Sequence, residues 1–328
     1  MSNRMRLLQL MAAGACHSGE TLGSQLGISR SAIWKQLKAL EALGLEFDAV
    51  PGKGYRLTQP IELLDRAAII AAIPAQLSTH LNAVEVHDEI DSTNSYLMQR
   101  AQNGAASGTV CLAEYQRSGR GRRGRQWISP FGSSIYLSLL WRFPVGPEQL
   151  GGLSLAAAVA VTRALHDVGA RNIGLKWPND VICEQRKLAG ILLELNGEAS
   201  GASNVVIGIG INVNMPPTAS GEIDQPWTDL TSICSNPVSR NQLTGLLIGH
   251  LLETLTTYQQ QGLTPFINAW CQADILADQR VELHMHDKTI TGTARGIDND
   301  GALLLDCAGK LQRHQCGEVS LRRATPIR

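Results

Sequence analysis

Apolar residues near the N-terminus recur at helical spacing and then alternate in two short runs. The pattern predicts helices over residues 4–15 and 20–26, a tight turn at 27–29, and a third helix that Ser29 caps. A Pro-Gly-Lys-Gly turn at 51–54 then joins two predicted strands, 45–50 and 55–57. Helices, turn, helix and hairpin in this order are typical of a winged helix-turn-helix domain.

The third helix has two different faces. Its apolar side consists of Ile33, Leu37 and Leu40. Its polar, partly basic side consists of Ser31, Lys35, Gln36 and Lys38. Lys53 lies between glycines at the tip of the hairpin, where it can reach a phosphate, so the head is predicted to bind DNA. A small helical packing domain is the alternative.

From residue 61 to about residue 272, predicted strands and helices alternate. Strands are predicted at 84–90, 109–114, 134–141, 173–177, 188–195 and 205–214, and helices at 63–72, 94–102, 153–169, 240–261 and 265–272. A loop rich in Gly, Ser and Asn separates the last two strands and indicates a hairpin. These connections predict a mixed sheet flanked by helices, not a doubly wound parallel sheet.

After residue 273 the chain consists of short runs between turn residues. Strands are predicted at 281–285, 289–297, 302–306 and 310–315, with turns at 286–288, 298–301 and 308–309. Regular turns at this spacing indicate a small SH3-like β-barrel. The fold class is therefore multidomain α+β, with domains at 1–60, 61–272 and 273–328.

The composition limits which partners and which cellular location the protein can have. The 328 residues carry 29 basic and 29 acidic side chains, so any nucleic-acid contact needs a local basic patch. Seven cysteines without a CxxC pair indicate reduced thiols and argue against a disulfide framework or a zinc site. The most apolar stretch, 153–161, is too short to span a membrane, and the N-terminus lacks a signal-peptide pattern. We expect a cytoplasmic protein.

Residues 117–127, the arginine loop, hold five arginines within nine residues and three glycines among them. Glycine lets the backbone approach a ligand closely, and arginine offers paired donors to phosphate or carboxylate. The loop lies between two predicted strands and ahead of Trp127, which favours binding of an acyl phosphate. A solvated basic loop and an RNA-binding tract are the alternatives, and no Walker motif is present.

Three further motifs could share that site. Lys-Trp-Pro-Asn-Asp (176–180) is predicted to place Asn179 and Asp180 at a strand end, and Lys-Leu-Ala-Gly (187–190) begins a strand with a lysine. Gly190 leaves room for something flat. Asp-Ser-Thr-Asn (91–94) is predicted to cap a helix and also to offer hydroxyl and amide groups to a neutral polar ligand. Taken singly, each motif is explained equally well by a structural role, as a turn, the start of a strand or a helix cap.

Together these motifs resemble the biotin–protein ligase family, in the bifunctional form that also represses the biotin operon. The resemblance covers essentially the whole chain in the same order: winged helix, Asp-Ser-Thr-Asn, Gly-Arg-Gly-Arg-Arg-Gly, Lys-Trp-Pro-Asn-Asp, Lys-Leu-Ala-Gly-Ile-Leu, Gly-Ile-Asn and an SH3-like tail. It implies a class II synthetase-like catalytic domain that uses ATP, Mg²⁺ and biotin. It also implies three partners: the biotin carboxyl carrier protein of acetyl-CoA carboxylase, operator DNA of the biotin genes, and a second copy of the chain when the adenylate is bound.

The resemblance assigns residues to each task. The residues implied to bind biotin are Ser92, Thr93, Asn94, Gln116, Arg120, Gly121, Arg122, Lys187, Gly190 and Gly208. Those implied to bind the nucleotide are Arg122, Trp127, Asn179, Lys187, Asn212 and Trp227, with the adenine covered by part of 215–229. Those implied to bind DNA are Gly19, Ser29, Arg30, Ser31, Trp34, Lys35, Lys38 and Lys53. Trp34 stands where a polar residue would be ordinary, which leaves the operator sequence open.

The implied mechanism has Lys187, Arg122 and Asp180 as its catalytic residues. Lys187, the arginine loop and Mg²⁺ would offset the repulsion between biotin carboxylate and the ATP α-phosphate. The loop would then shelter the mixed anhydride from water, and Asp180 would orient the lysine amine of the carrier protein. Alternatives are a lipoate or octanoate ligase, a repressor that senses the adenylate without transferring biotin, and a ligase whose head does not bind DNA.

Overall fold

A computed structural model describes residues 3–197, 201–285, 288–317 and 319–324. The helices are α1 (Asn3–Met11), α2 (Gly19–Leu26), α3 (Arg30–Glu41), α4 (Arg66–Ala71), α5 (Thr93–Gln102), α6 (Leu153–Asp167), α7 (Leu230–Ile233), α8 (Arg240–Gln261) and α9 (Thr264–Ala273). The strands are β1 (Phe47–Val50), β2 (Gly54–Leu57), β3 (Ala83–His87), β4 (Thr109–Ala113), β5 (Ser134–Phe143), β6 (Ile173–Lys176), β7 (Asp180–Cys183), β8 (Arg186–Gly197), β9 (Ser203–Asn212), β10 (Arg280–His284), β11 (Thr289–Ile297), β12 (Leu303–Cys307), β13 (Lys310–His314) and β14 (Ser320–Arg323).

The N-terminal head contains the predicted helices and hairpin. Ser29 caps α3 through its side chain, which accepts a hydrogen bond from Ala32 N at 3.2 Å. Helix α1 ends at Met11, earlier than predicted, because the chain turns there and Gly14 N donates to Met11 O at 2.9 Å. The apolar side of α3 packs into a core that the three helices and the hairpin share. The structure thus presents the opposite side of α3 to solvent.

The central sheet has seven strands in the order β3-β4-β5-β9-β8-β7-β6. Only β3 and β4 pair in parallel, and the other neighbours are antiparallel, which confirms the predicted mixed sheet. The predicted hairpin forms between β8 and β9, and residues 198–200 of its loop lie outside the described residues. Helices α6 and α8 cover one face of the sheet and α5 covers the other. Among the described residues, no helix is both long and apolar enough to cross a membrane.

The C-terminal strands form an antiparallel sheet in the order β13-β12-β11-β10-β14. Four of these strands were predicted, and β14, which pairs with β10, was not. His286 and Asp287 of the predicted first turn lie outside the described residues. The SH3-like barrel and the three domain boundaries stay predictions.

Buried polar contacts join the head and linker to the central sheet. Arg240 Nη2 lies 2.9 Å from Glu114 Oε2, and the two side chains are only 3% and 2% exposed. Glu114 Oε1 accepts a hydrogen bond from Leu64 N in the linker at 2.5 Å. Nearer the head, Arg4 and Glu89 form an ion pair at 3.0 Å. Arg240 Nη1 also donates to Glu62 O, so both members of the buried pair hydrogen-bond to the linker backbone.

Candidate active site

One cavity of about 380 Å³ lies over the central sheet. Its wall comes from the start of α5, the arginine loop, the β6–β7 turn, strands β8 and β9, residues 222–227, and residues 319–321 of the C-terminal sheet. Every residue that the sequence assigned to biotin, nucleotide or catalysis lines this cavity. The structure therefore brings together motifs that are as much as 135 residues apart, from Ser92 to Trp227.

The start of α5 forms a buried, neutral polar wall. Ser92 caps the helix, as predicted, by accepting from Ser95 N at 3.5 Å. Gln116 Oε1 accepts from Thr93 N at 2.9 Å and from Thr93 Oγ1 at 3.2 Å. Ser138 Oγ on β5, which the sequence did not single out, donates its one proton to Asn94 Oδ1 at 2.6 Å and lies 2.8 Å from Thr93 Oγ1. These bonds fix the donors and acceptors that a ligand would meet.

Three glycines let other groups lie directly on β8 and β9. A Cβ atom on Gly208 would stand 2.1 Å from Asn94 Oδ1, so only glycine admits that side chain. A Cβ on Gly190 or Gly210 would stand 3.0 or 2.4 Å from the Trp127 ring. The flat group beside Gly190 is therefore the Trp127 indole, which closes the cavity from above the sheet.

The other end of the cavity is cationic. Lys187 Nζ lies 2.7 Å from Asp180 Oδ1, and the two side chains are 15% and 18% exposed. Lys176, which the sequence analysis missed as a site residue, also lines this end. Burial lowers its pKa, the nearby cations Lys187, Arg322 and Arg125 lower it further, and Asp180 opposes them. An anion entering this end would meet Lys176 and Lys187 together, with Asp180 beside them.

The arginine loop is folded as a closed hairpin over the cavity. Trp127 N donates to Gly119 O at 2.9 Å, and Gly121 N donates to Arg125 O at 2.8 Å. At the tip, Arg122 Nη1 donates to Asn179 Oδ1 at 3.0 Å, and Arg122 Nη2 donates to the carbonyls of Gly317 and Val319. The loop thus contacts both the β6–β7 turn and residues 317 and 319, just ahead of β14.

Asn212 ties two cavity segments together. Its Nδ2 donates to Thr228 O at 3.0 Å and to Lys187 O at 3.5 Å. The Lys187 backbone pairs with the segment around Trp227, since Lys187 N donates to Pro226 O at 2.9 Å. Residues 226–228 therefore lie against the strand that carries Lys187.

The structure adds one element to the prediction for residues 176–180. Strand β6 ends in a turn at residues 177–179, as predicted, but Asp180 is also the first residue of β7, and it pairs with Lys176 on β6 and with Gly190 on β8. Strand β7 has only four residues and begins directly after the turn, so no periodic signal revealed it. The strand holds Asp180 beside Lys187.

The exposed side of α3 carries most of the residues predicted to bind DNA. Trp34 is 52% exposed, and the Lys38 ammonium lies 5.8 Å from its ring centroid. Ser29, Arg30, Ser31 and Lys35 are exposed beside it, and Lys53 is exposed at the hairpin tip. Gly19 differs: it is buried, and a Cβ there would lie 3.2 Å from Arg30 Cγ.

Among the described residues, no three His, Cys, Asp or Glu side chains are grouped so that they could hold a metal ion. The cavity wall does offer carboxylate and amide oxygens, among them those of Asp180 and Asn179. One carboxylate and one amide oxygen suit a hard cation whose remaining ligands are oxygens of water and phosphate.

Comparison with known proteins defines the class of each part. Residues 86–212 match the biotin/lipoate A/B protein ligase family, residues 4–56 match an HTH domain, and residues 277–322 match the biotin protein ligase C-terminal domain. The biotin protein ligase of Aquifex aeolicus, solved in complex with biotin and ATP, has a TM-score of 0.64 and 28% identity and covers 74% of this chain and all of that one.

Relatives extend the match to the whole chain. The bifunctional ligase/repressor BirA of Escherichia coli is 42% identical over 98% of this chain and 97% of its own length. BirA of Salmonella typhimurium is 43% identical over 98% of both chains, and BirA of Bacillus subtilis is 30% identical over 93% of both. The chain belongs to the family of bifunctional ligase/repressors.

Proposed function

We propose that this chain joins biotin to ATP to form biotinyl-5′-AMP, transfers biotin to a lysine of a carrier protein, and represses biotin genes while it holds the adenylate. One observation carries the proposal: a single cavity has a neutral polar wall at one end, a cationic group at the other and a folded arginine loop above. That polarity suits a ligand with an uncharged ring head and an acyl phosphate at its tail.

The neutral wall is proposed to hold the biotin head. Thr93, Asn94 and Gln116 are buried and hydrogen-bonded to one another or to Ser138, so they present fixed donors and acceptors to a ureido group. Ser92 and the close approach allowed by Gly208 complete that wall, and Gly121 lies at the loop above it. Prearranged groups bind without a further ordering cost.

The cationic end is proposed to hold the carboxylate and the α-phosphate. When both anions enter, Lys187 Nζ can leave Asp180 and lie between them, while Arg122 approaches from the loop tip. Their charges offset the anion–anion repulsion that grows as the carboxylate attacks phosphorus and pyrophosphate leaves. Mg²⁺ arrives with ATP and supplies further positive charge at the phosphates. Trp127, Asn179, Asn212 and Trp227 line the same end and are proposed to contact the nucleotide.

Transfer is proposed to depend on Asp180. Once Lys187 has moved to the phosphate, the carboxylate of Asp180 is free to accept a hydrogen bond from an incoming lysine amine. That bond would orient the nitrogen lone pair toward the acyl carbon. The amide bond would then form as the acyl–phosphate bond breaks and AMP leaves, and the amine proton would pass to Asp180. Asp180→Asn should therefore retain adenylate formation and slow transfer, which separates the two half-reactions.

Repression is proposed to join the head to a dimer interface. The exposed side of α3 brings Arg30, Trp34, Lys35 and Lys38 toward a major groove, and Lys53 reaches the backbone. Within the described residues, β7 pairs with β8 only as far as Gly190, so 193–197 have one free strand edge. Such an edge can pair with a second copy about a twofold axis, which would set two heads on a palindromic operator.

The boundaries 1–60, 61–272 and 273–328 are proposed as head, catalytic domain and C-terminal domain. The carrier is proposed to be the biotin carboxyl carrier protein of acetyl-CoA carboxylase. All seven cysteines are free thiols, which is typical of a reducing compartment, and a cytoplasmic location is proposed.

The test is incubation with ATP, Mg²⁺, a carrier domain and either labelled biotin or labelled lipoate. Mass measurement of the carrier should show one added biotinyl group and no lipoyl group. Adenylate formation without carrier labelling would make the chain a sensor only, and lipoyl transfer would assign it to the lipoate branch. A gel shift on the chain's own promoter DNA, with and without biotin and ATP, tests the head separately.

A further inference from the structure

Glu194 is a carboxylate that the ligase mechanism above does not use, although it lies beside the cavity wall. It is on β8, seven residues after Lys187, and its side chain is 19% exposed. It has two partners from two different elements. Arg120 Nη1 of the arginine loop lies 2.8 Å from Glu194 Oε1, and Asn94 Nδ2 of α5 lies 2.8 Å from Oε2.

The contact with Asn94 decides how that amide is turned. Asn94 Nδ2 donates to Glu194 and, at 3.3 Å, to Leu192 O, while its Oδ1 accepts from Ser138 at 2.6 Å. Because two acceptors face the amide nitrogen of Asn94 and a donor faces its oxygen, the amide can adopt only one of its two orientations. Glu194 thus helps to fix the groups that the neutral wall shows to a ligand.

The contact with Arg120 ties the base of the arginine loop to the sheet. Apart from Glu194, the described side-chain partner of Arg120 is Ser95 Oγ, at 3.3 Å. The loop tip is held separately, by Arg122 on Asn179 and the C-terminal sheet. Because Glu194 stands on a strand that pairs continuously with β9, it offers the loop a rigid anchor. The Arg120 side chain is 49% exposed and that of Glu194 is 19% exposed, so water screens the pair only in part.

We propose that Glu194 is a positioning residue that holds the arginine loop closed through Arg120 and sets the amide of Asn94 for the biotin head. It touches no reacting atom. This inference rests on the proposed ligase function, and it predicts that Glu194 governs how long the adenylate stays bound more than how fast it forms.

Three variants separate the two contacts. Glu194→Gln removes the charge that holds Arg120 and keeps an oxygen that can accept from Asn94, whereas Glu194→Ala removes both. Glu85→Gln is the matched control: Glu85 is 24% exposed, pairs with Arg100 at 3.2 Å and accepts from Tyr96 of α5 at 2.7 Å, and it is not part of the cavity lining.

The measurement is release of preformed labelled biotinyl-adenylate, alongside biotin binding without ATP and thermal unfolding. We expect Glu194→Gln to release the adenylate about three- to fivefold faster, as loss of a partly exposed ion pair predicts, with biotin affinity changed by less than about twofold. Glu194→Ala should also weaken biotin binding, and Glu85→Gln should change neither. Arg120→Gln should release the adenylate as fast as Glu194→Gln, and the double variant should be no faster than either.

Unchanged release in Glu194→Gln, or additive effects in the double variant, would overturn the positioning role. A loss of thermal stability with normal release from the folded fraction would also overturn it, since the role would then be structural. If the wild-type protein forms no adenylate, the proposed function fails first. That result is distinct, because it is seen before any variant is compared.

Discussion

Replacing Lys187 by alanine tests the cationic end of the cavity. In the structure its ammonium lies 2.7 Å from Asp180, so the change removes a cation and leaves a carboxylate alone where two anionic substrates must meet. The pair faces an open cavity, and the folded state should lose only about 1 kcal/mol. The protein should therefore remain folded, with its melting temperature lowered by about 2 °C.

The effect on catalysis should be far larger. At about 4 Å and an effective dielectric constant of about 20, a unit charge stabilises an opposite unit charge by roughly 4 kcal/mol. Each 1.4 kcal/mol or so is a factor of about ten in rate, so a loss of roughly 4 kcal/mol would slow the reaction by about 10³-fold. Arg122 and Mg²⁺ would still supply part of the positive charge. We expect adenylate formation to fall by about 10² to 10³-fold.

Pyrophosphate release under single-turnover conditions measures this step directly. Asp180→Asn is the matched variant, because it disrupts the same ion pair and keeps the lysine: it should form adenylate at a near-normal rate and transfer biotin slowly. Pyrophosphate release at the wild-type rate in Lys187→Ala would show that the lysine does not stabilise the reacting phosphate, and the proposed chemistry would be wrong.

Three further changes address the loop, the head and the linker. Arg122→Gly removes the contacts of the loop tip and should leak adenylate about tenfold faster, seen as labelling of the protein's own lysines; tight retention would argue against a closing loop. Trp34→Ala should weaken operator binding about tenfold in a gel shift and leave carrier biotinylation unchanged, whereas unaltered DNA binding would remove Trp34 from the contact surface. Glu114→Ala leaves the buried Arg240 without its carboxylate partner, although its hydrogen bonds to Ser134 O and Glu62 O remain, and should cost about 3 kcal/mol of unfolding free energy; a denaturant midpoint like that of the wild type would refute the importance of the pair.

Elements with strong periodicity and clear ends could be predicted from the sequence. Helix α8 was predicted at its observed bounds, since Ser239 caps its start and Gly262 follows its end. Strand β11 was also predicted at its observed bounds, because turn residues flank it on both sides. In such segments local chemistry and tertiary packing favour the same boundaries.

Short elements could not be predicted in the same way. Strand β7 has four residues and is followed by Glu184 and Gln185, whose positive φ angles of 48° and 65° give no sequence signal in these residue types. Strand β14 also has four residues, and it exists because β10 offers it a free edge. Neither reason is visible from local composition.

In the candidate site, too, clustered residues could be predicted and isolated residues could not. Its motif residues were predicted because they stand in recognisable clusters, and all of them line one cavity. Ser138 and Glu194 were missed because each is a single polar residue within an apolar strand, with a role set by side chains distant in sequence. The C-terminal residues 319–321 were missed for the same reason: only the tertiary fold brings them to the arginine loop.

In the proposed chemistry, Lys187 and the arginine loop place positive charge beside an acyl phosphate and shield it from water. A crystal structure of the protein with biotin, ATP and Mg²⁺ would show whether these groups reach the phosphate. We predict biotinyl-adenylate in the cavity, residues 117–127 closed over it, and Lys187 Nζ moved from Asp180 to within hydrogen-bond distance of the phosphate. An adenylate bound with Lys187 still on Asp180 and the arginine loop turned away to solvent would contradict the account.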